Sequence, residues 1–202
     1  MTRLDIDTIT LFGGNIDNDN CICFYGDKKD TWSILYKRDL SSVKSLDFYK
    51  IINTNNSLLI TNIYVFNLLT DAIIFYTTRG TIFFNNALII IVDHQSKKEV
   101  AELLRENLSN STASNPKLHF YHTKEKADLY LFYLELYGLV FYYQINYLSD
   151  KLSLKIQSKK LQLELSFSEL NKLRFFLGIN DKTFRIKNNI LNKNNINNFI
   201  IW

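Results

Sequence analysis

The chain has 202 residues, 47% of them hydrophobic, with one proline and six glycines, a composition that excludes disorder and predicts a globular protein with a sizeable core. Its net charge of +4 is uneven, because residues 151–202 hold 10 Lys/Arg against 3 Asp/Glu and residues 1–150 hold 14 against 17. A basic end of net charge +7 on an acidic body indicates a polyanionic partner, or else a solvated lysine-rich face without a partner.

Short strands are predicted over most of residues 9–92. Residues 21–25 and 32–36 are strand-like and flank a turn-forming stretch, which predicts a hairpin. The apolar run 72–76 follows as a further strand, and Ala87–Val92 is the most strand-like run because of its β-branched residues. Several strands at short spacing predict an antiparallel roll, barrel or sandwich.

Helical signals begin at Ser96, where Ser96 and Glu99 have the spacing of a capping box. Pro116 suits the first position of a second, long helix. One side of that helix would be lined by five apolar residues: Leu118, Tyr121, Leu129, Phe132 and Leu136. Strand remains an alternative for residues 129–148, since a continuous apolar run does not separate the two structures.

The segment after residue 160 has the pattern of a winged helix-turn-helix. Alternation over 161–165 predicts a strand, and Ser166 with Glu169 forms a capping box that opens a helix ended by Gly178. A second helix is expected over 182–187, followed by two strands around an Asn-rich turn as a wing. In such a unit the second helix can enter a DNA major groove.

Six residues are candidates for DNA contact if this pattern is correct. Arg185 would read a base, because its guanidinium can donate two parallel hydrogen bonds to a guanine edge. Cations on both helices would neutralise phosphates. The full set is Lys172, Arg174, Lys182, Thr183, Arg185 and Lys187. The alternative is that these exposed charges only keep an Asn-rich terminus soluble.

Other chemistry-bearing residues give weaker indications. His119 and His122 have helical spacing for one metal, but two ligands do not close a zinc site. The Asp93–His94 pair lacks a nucleophile motif and a Gly-rich phosphate loop. We therefore expect no catalytic residues, no metal, no cofactor and no enzymatic activity. Arg79 lies in an apolar neighbourhood, where it could meet a small acidic effector or extend its side chain from a loop to water.

Cys21 and Cys23 are the only cysteines, and adjacent positions on one strand face give poor disulfide geometry. They are expected to be structural thiols in a reducing compartment. The first residues lack the apolar core of a signal peptide. The most lipid-like run, 129–148, is interrupted by polar residues, so no membrane span is expected.

The order of these segments resembles regulators of the CRP/FNR family, in particular the global nitrogen regulators of cyanobacteria and algal plastids. Residues 24–27 with the strand at 32–36 are similar to the family's Gly-Asp turn and following strand. Residues 65–70 resemble its mid-roll segment, and residues 87–107 resemble its last roll strand with the short helix that follows. Residues 187–190 resemble its wing. The cassette that binds the phosphate of cyclic nucleotides has no counterpart here, so the resemblance does not extend to cyclic AMP sensing.

The resemblance implies an α+β fold with three parts: an antiparallel β-roll over 1–95, a helical dimerisation segment over 96–148 and a winged helix-turn-helix over 149–202. It implies a DNA-binding transcription regulator, homodimeric, in the cytoplasm or plastid stroma, with half-sites about 34 Å apart. Of the family's recognition helix, only Thr183 and Arg185 have matches. The alternative function is a non-enzymatic structural or adaptor subunit that docks in a larger assembly through aromatic surfaces near 129–148.

Overall fold

The computed structural model is a mixed α+β protein. It describes the following residues: 5–16, 21–27, 32–35, 43–46, 49–53, 60–80, 84–92, 117–122, 141–146, 151–156, 161–166, 169, 172–176, 178 and 185–190. Helices span Ile6–Leu11 (α1), Leu69–Arg79 (α2) and Leu173–Phe176 (α3).

The strands form three sheets. The N-terminal sheet is antiparallel, in the order β1-β2-β3-β4. The central sheet has the order β12-β8-β6-β7-β5, and the C-terminal meander has the order β11-β10-β9. The strand bounds are Gly14–Ile16 (β1), Ile22–Tyr25 (β2), Trp32–Leu35 (β3), Val43–Leu46 (β4), Tyr49–Asn53 (β5), Asn62–Phe66 (β6), Ala87–Val92 (β7), Lys117–His122 (β8), Phe141–Asn146 (β9), Lys151–Ile156 (β10), Leu161–Ser166 (β11) and Arg185–Ile190 (β12).

Four strands of the central sheet, β7, β6, β8 and β12, run parallel to one another, and β5 is antiparallel to β7. All six residues of β7 are buried, as are the last four of β6. Parallel sheets are covered on both faces and therefore have nearly continuous apolar strands rather than alternating ones. The β-branched run that marks β7 in the sequence is thus the sequence signature of a covered strand.

Helix α2 joins β6 to β7 and covers one face of the sheet. It buries Leu69, Ala72 and Ile73, which have the i, i+3, i+4 spacing of one helical face. The prediction of a strand over 72–76 was wrong. The physical reason is that parallel neighbours cannot be joined by a tight turn and need a crossover, usually a helix.

The main core lies between α2, the central sheet and the N-terminal sheet. It includes Phe12 after α1, Phe24 of β2 and Phe66 of β6. The predicted hairpin is confirmed as β2 and β3, paired in antiparallel register from Ile22↔Leu35 to Tyr25↔Trp32. Cys21 and Cys23 are each half-buried and form no disulfide with each other.

A carboxylate ties the N-terminal sheet to the edge of the central sheet. Asp27, just after β2, accepts a hydrogen bond from the backbone N–H of Ile51 in β5 at 2.6 Å. Lys50 Nζ donates to the Tyr25 carbonyl at 2.9 Å and lies 3.4 Å from Asp27 Oδ1. An outward N–H of an edge strand is a site for unwanted strand pairing, and Asp27 occupies this one.

The central sheet also corrects two predictions. Leu118 and Tyr121 were predicted to lie on a long helix, but they belong to strand β8. The other residues of that predicted helix, Leu129, Phe132 and Leu136, lie outside the described residues. The helix predicted from Ser96 also lies outside them. The strand alternative for 129–148 is confirmed over β9. An all-antiparallel roll over 1–95 does not describe a sheet in which β6 and β7 run parallel. The sheet also draws strands from all three predicted parts of the chain.

Tyr64 of β6 lies at the centre of a buried aromatic cluster. Its ring stacks on His119 at 4.8 Å between centroids and meets Phe84 edge-on at 5.2 Å. Burial raises the pKa of Tyr64 from its ordinary value of 10.0 to about 12, and Tyr121 nearby adds to the shift. The phenol is therefore held in its neutral form by the fold.

We expect the Gly13→Ala substitution to lower the free energy of unfolding by about 1–3 kcal/mol, the cost of holding a residue with a Cβ in a sparsely populated conformation. Gly13 has φ +71°, and a Cβ there would lie 2.6 Å from Lys50 Nζ. Urea denaturation measures the change. In a Lys50→Ala background the cost should be smaller, because the collision is absent. An equal cost in both backgrounds would contradict this account.

The aromatic cluster predicts a loss of stability at alkaline pH. A folded pKa above the unfolded one means that the Tyr64 contribution is complete below about pH 10 and is lost as pH rises through about 12. Tyr64→Phe should flatten the decline in unfolding free energy over this window, as measured by urea denaturation at pH 8, 10 and 11. Tyr142→Phe, at an exposed position in β9, is the matched control and should decline like the wild type. An unchanged slope in Tyr64→Phe would refute the assignment.

Candidate functional site

Of the first helix predicted in the helix-turn-helix, the structure describes the capping box, the helical residues Leu173–Phe176 and Gly178. Strand β11 ends at Ser166, whose backbone N–H and Oγ both donate to Glu169 Oε2, at 3.2 and 3.1 Å. These donors, with Lys172, lower the pKa of the Glu169 carboxyl. The carboxylate arm of the capping box is therefore confirmed, while the serine hydroxyl bonds the same carboxylate. Gly178 has φ +72°, and its N–H donates to the Phe175 carbonyl at 3.0 Å, as a glycine that ends a helix does.

Two phenyl rings on α3 face solvent. Phe175 is 69% exposed and Phe176 is 44% exposed. Among the residues that the structure describes between β11 and β12, regular α-helix spans Leu173–Phe176. The turn is fixed at both ends, by the Glu169 cap and by Gly178, so the rings are presented on a short, defined segment.

The predicted recognition helix is corrected by the structure. Arg185 and Lys187 lie in β12, paired in parallel with Lys117 and His119 of β8. Lys182 and Thr183 lie outside the described residues. The reason is visible in the sequence: Phe184 and Ile186 alternate with Arg185 and Lys187, a period of two that favours a strand over a helix.

The wing is altered by the same strand. Asn189 and Ile190, predicted to open an antiparallel wing, end β12, where they pair in parallel with Tyr121 and His122 of β8. The second wing strand, over 198–201, lies outside the described residues. Residues 185–190 are thus an integral strand of the central sheet.

Within residues 151–202, basic side chains that the structure describes form ion pairs with carboxylates. Lys151 lies 3.0 Å from Glu164, and Lys172 lies 3.3 Å from Glu169. Two of the three acidic residues in 151–202 are therefore used in ion pairs. Arg174 lies in α3. Exposed pairs of this kind contribute little stability, but they reduce the cationic charge that a phosphate would meet.

The C-terminal meander presents a polar face to solvent. Exposed Tyr142, Gln144 and Asn146 of β9 lie opposite Lys155, Ser153 and Lys151 of β10. Exposed Gln162 and Glu164 of β11 continue the same face, whereas the alternate position Leu165 is buried. The C-terminal meander, which lies between β8 and β12 along the chain, is therefore an amphipathic sheet with one solvent-exposed face.

The remaining candidates take structural positions. His119 is buried against Tyr64, and in strand β8 it lies three positions before His122, which puts the two positions on opposite faces. Within the described part of the chain no group of three or more His, Cys, Asp or Glu could hold a metal. The Arg79 guanidinium lies 5.6 Å above the Phe75 ring at the exposed end of α2, and Asp93 and His94 fall outside the described residues.

No protein-family model, no curated protein and no solved structure matches the chain. In the part of the chain that the structure describes, no helix is both long and apolar enough to cross a membrane.

Proposed function

We propose that the protein is a non-enzymatic docking subunit that binds a partner protein through α3. The observation that carries the proposal is the exposure of Phe175 and Phe176 side by side on that helix. Burying an exposed phenylalanine side chain stabilises an association by roughly 1.5–3 kcal/mol. Aromatic residues are enriched at the centres of protein interfaces and among the few residues that supply most of the binding energy.

The local structure supports such a role. Because Glu169 and Gly178 fix the two ends of the α3 turn, little conformational entropy would be lost when the rings are buried by a partner. Single exposed apolar side chains, such as Ile6 at the other end of the chain, are ordinary on a protein surface. Phe175 and Phe176 place two exposed phenyl rings within one helical turn, which offers an interaction partner more apolar surface than a single side chain does.

The charge around α3 suggests the chemistry of the partner. Residues 151–202 have a net charge of +7, and Lys172 is exposed beside the two rings. Complementary potentials steer association and exclude partners of like charge. The partner would therefore offer an apolar pocket with an acidic rim. A second copy of this chain, with the same basic surface, fits less well.

We expect the double substitution Phe175→Ala and Phe176→Ala to leave the unfolding free energy within about 0.5 kcal/mol of wild type, because the rings are exposed. The same change should weaken partner binding at least tenfold, since an interfacial aromatic residue contributes more than about 1.4 kcal/mol. Partners captured by the full chain are identified first, and their affinity is then measured by titration.

Ile6→Ala is the matched control for this experiment, because Ile6 is exposed to the same extent as Phe175, 69%. It should bind the partner with wild-type affinity. Equal binding by the double variant would remove α3 from the interface, and sedimentation of the chain alone would reveal a homodimer if a second copy is the partner.

A second candidate function, DNA binding, rests on the basic charge of residues 151–202 and on the order of the segments. As a proposal it retains the homodimeric CRP/FNR-like regulator, with a small acidic effector near Arg79 and a place in the cytoplasm or plastid stroma, but neither the antiparallel roll nor the recognition helix. Without a helix over 185–187, we propose contacts to the phosphate backbone rather than to base edges. Arg185 and Lys187 occupy alternate positions of β12, which share one strand face.

Salt dependence tests the DNA proposal. Each lost phosphate contact lowers the slope of log K against log salt by about 0.9, so Arg185→Gln with Lys187→Gln should reduce it by about 1.8. Fluorescence anisotropy on a labelled duplex at several salt concentrations gives the slope. Lys172→Gln is the control and should change it less, because Lys172 is paired with Glu169. Absence of binding at low salt would exclude the function. Point variants are needed, since deleting 161–202 would remove β12 from the central sheet.

A further inference from the structure

The order of the parallel strands in the central sheet marks a place between two strand ends where a ligand crevice is expected. In chain order the parallel strands are β6, β7, β8 and β12, and in space they lie in the order β7-β6-β8-β12. The chain therefore continues from β6 to β7, its neighbour towards one edge of the sheet, and from β8 to β12, its neighbour towards the opposite edge. In parallel α/β sheets, ligands bind outside the carboxyl ends of the strands where the order reverses in this way. Here that position lies beyond Phe66 of β6 and Tyr121 of β8, which are register partners.

A buried polar group lies at this position. Asn67 directly follows β6 and is only 3% exposed, yet its Oδ1 has no hydrogen-bond partner within the described structure. Nearly all buried polar atoms of native proteins are hydrogen-bonded, so an exception needs a reason such as a ligand or a water. Since Oδ1 is an acceptor, the missing group is a donor.

The start of α2 supplies groups of the opposite kind. The N-cap residue is Leu68, which has no side-chain acceptor, and the first helical hydrogen bond runs from Ala72 N–H to the Leu68 carbonyl. The three N–H groups before Ala72 thus have no acceptor within the helix. The charged residue of this turn is the acidic and buried Asp71, so the turn offers no basic side chain to pair with an anionic ligand. A neutral hydroxyl, which donates and accepts, suits both sets of groups.

We infer that the crevice between the carboxyl ends of β6 and β8 binds a neutral polyhydroxyl ligand, with Asn67 Oδ1 accepting a hydrogen bond from one hydroxyl. Two sources share this chemistry: the ribose of a nucleoside and a free sugar. The inference does not depend on the docking role of α3, so the two stand or fall separately.

Calorimetric titration of the full chain with adenosine, ribose, glucose and inorganic phosphate tests the inference. We expect a nucleoside or a sugar to bind and phosphate to fail. Asn67→Leu, similar in size but unable to accept a hydrogen bond, should weaken binding at least tenfold. Asn62→Leu is the matched control at the amino end of the same strand, where Asn62 Nδ2 donates to Thr61 Oγ1. It should bind like wild type.

A measurement on the wild type covers the case in which Asn67→Leu does not fold. Ligand should slow hydrogen exchange of the amides at 68–71 and leave Gly80, at the far end of α2, unchanged. Binding of phosphate alone, equal affinity in Asn67→Leu, or no binding by any compound would each overturn the inference. In the last case Asn67 Oδ1 holds no more than a buried water.

Discussion

The structure depends on the burial of both faces of its parallel strands. Val65, Ile89 and Ile90 have essentially no exposed surface, although β6 and β7 alternate their side chains between the two faces. On one face the cover is α2 together with residues from α1 and β2. A strand buried on both faces can offer no chemistry in its middle, because every side chain there is already surrounded. Function is therefore confined to strand ends, sheet edges and excursions from the sheet.

The excursion between β8 and β12 follows from this constraint. The chain leaves the sheet after β8, builds the C-terminal meander and α3, and returns as the parallel edge strand β12. Its return fixes the basic terminal stretch to the same sheet as the N-terminal half. This connectivity does not favour a separate C-terminal DNA-binding domain of the kind that winged-helix regulators have. The segment that carries the exposed rings of Phe175 and Phe176 is instead preceded and followed by strands of the central sheet, β8 and β12.

Local signals in the sequence predicted local structure well. The β2–β3 hairpin, the β7 and β11 strands, the Glu169 cap and the Gly178 terminus all depend on residues a few positions apart. The failures involve long-range pairing. Helix α2 and strand β8 are both short segments in which apolar and polar residues are mixed, and periodicity over so few residues does not separate helix from strand. The parallel pairing of β12 with β8 joins residues that no local pattern connects. The unpaired Asn67 amide was missed because burial is invisible in an isolated asparagine.

Both candidate sites are exceptions to the rule that apolar side chains are buried and polar side chains are exposed. Phe175 and Phe176 are apolar and exposed, and Asn67 is polar and buried. Each arrangement is unfavourable in the isolated chain, because water orders around the rings and the amide loses its hydrogen bonds to water. Where sequence and structure agree elsewhere, such local conflicts tend to mark function. A partner that buries the rings, or a ligand that satisfies the amide, would remove one conflict each. Since the two lie on different elements, α3 and the β6–α2 junction, either can be relieved without the other.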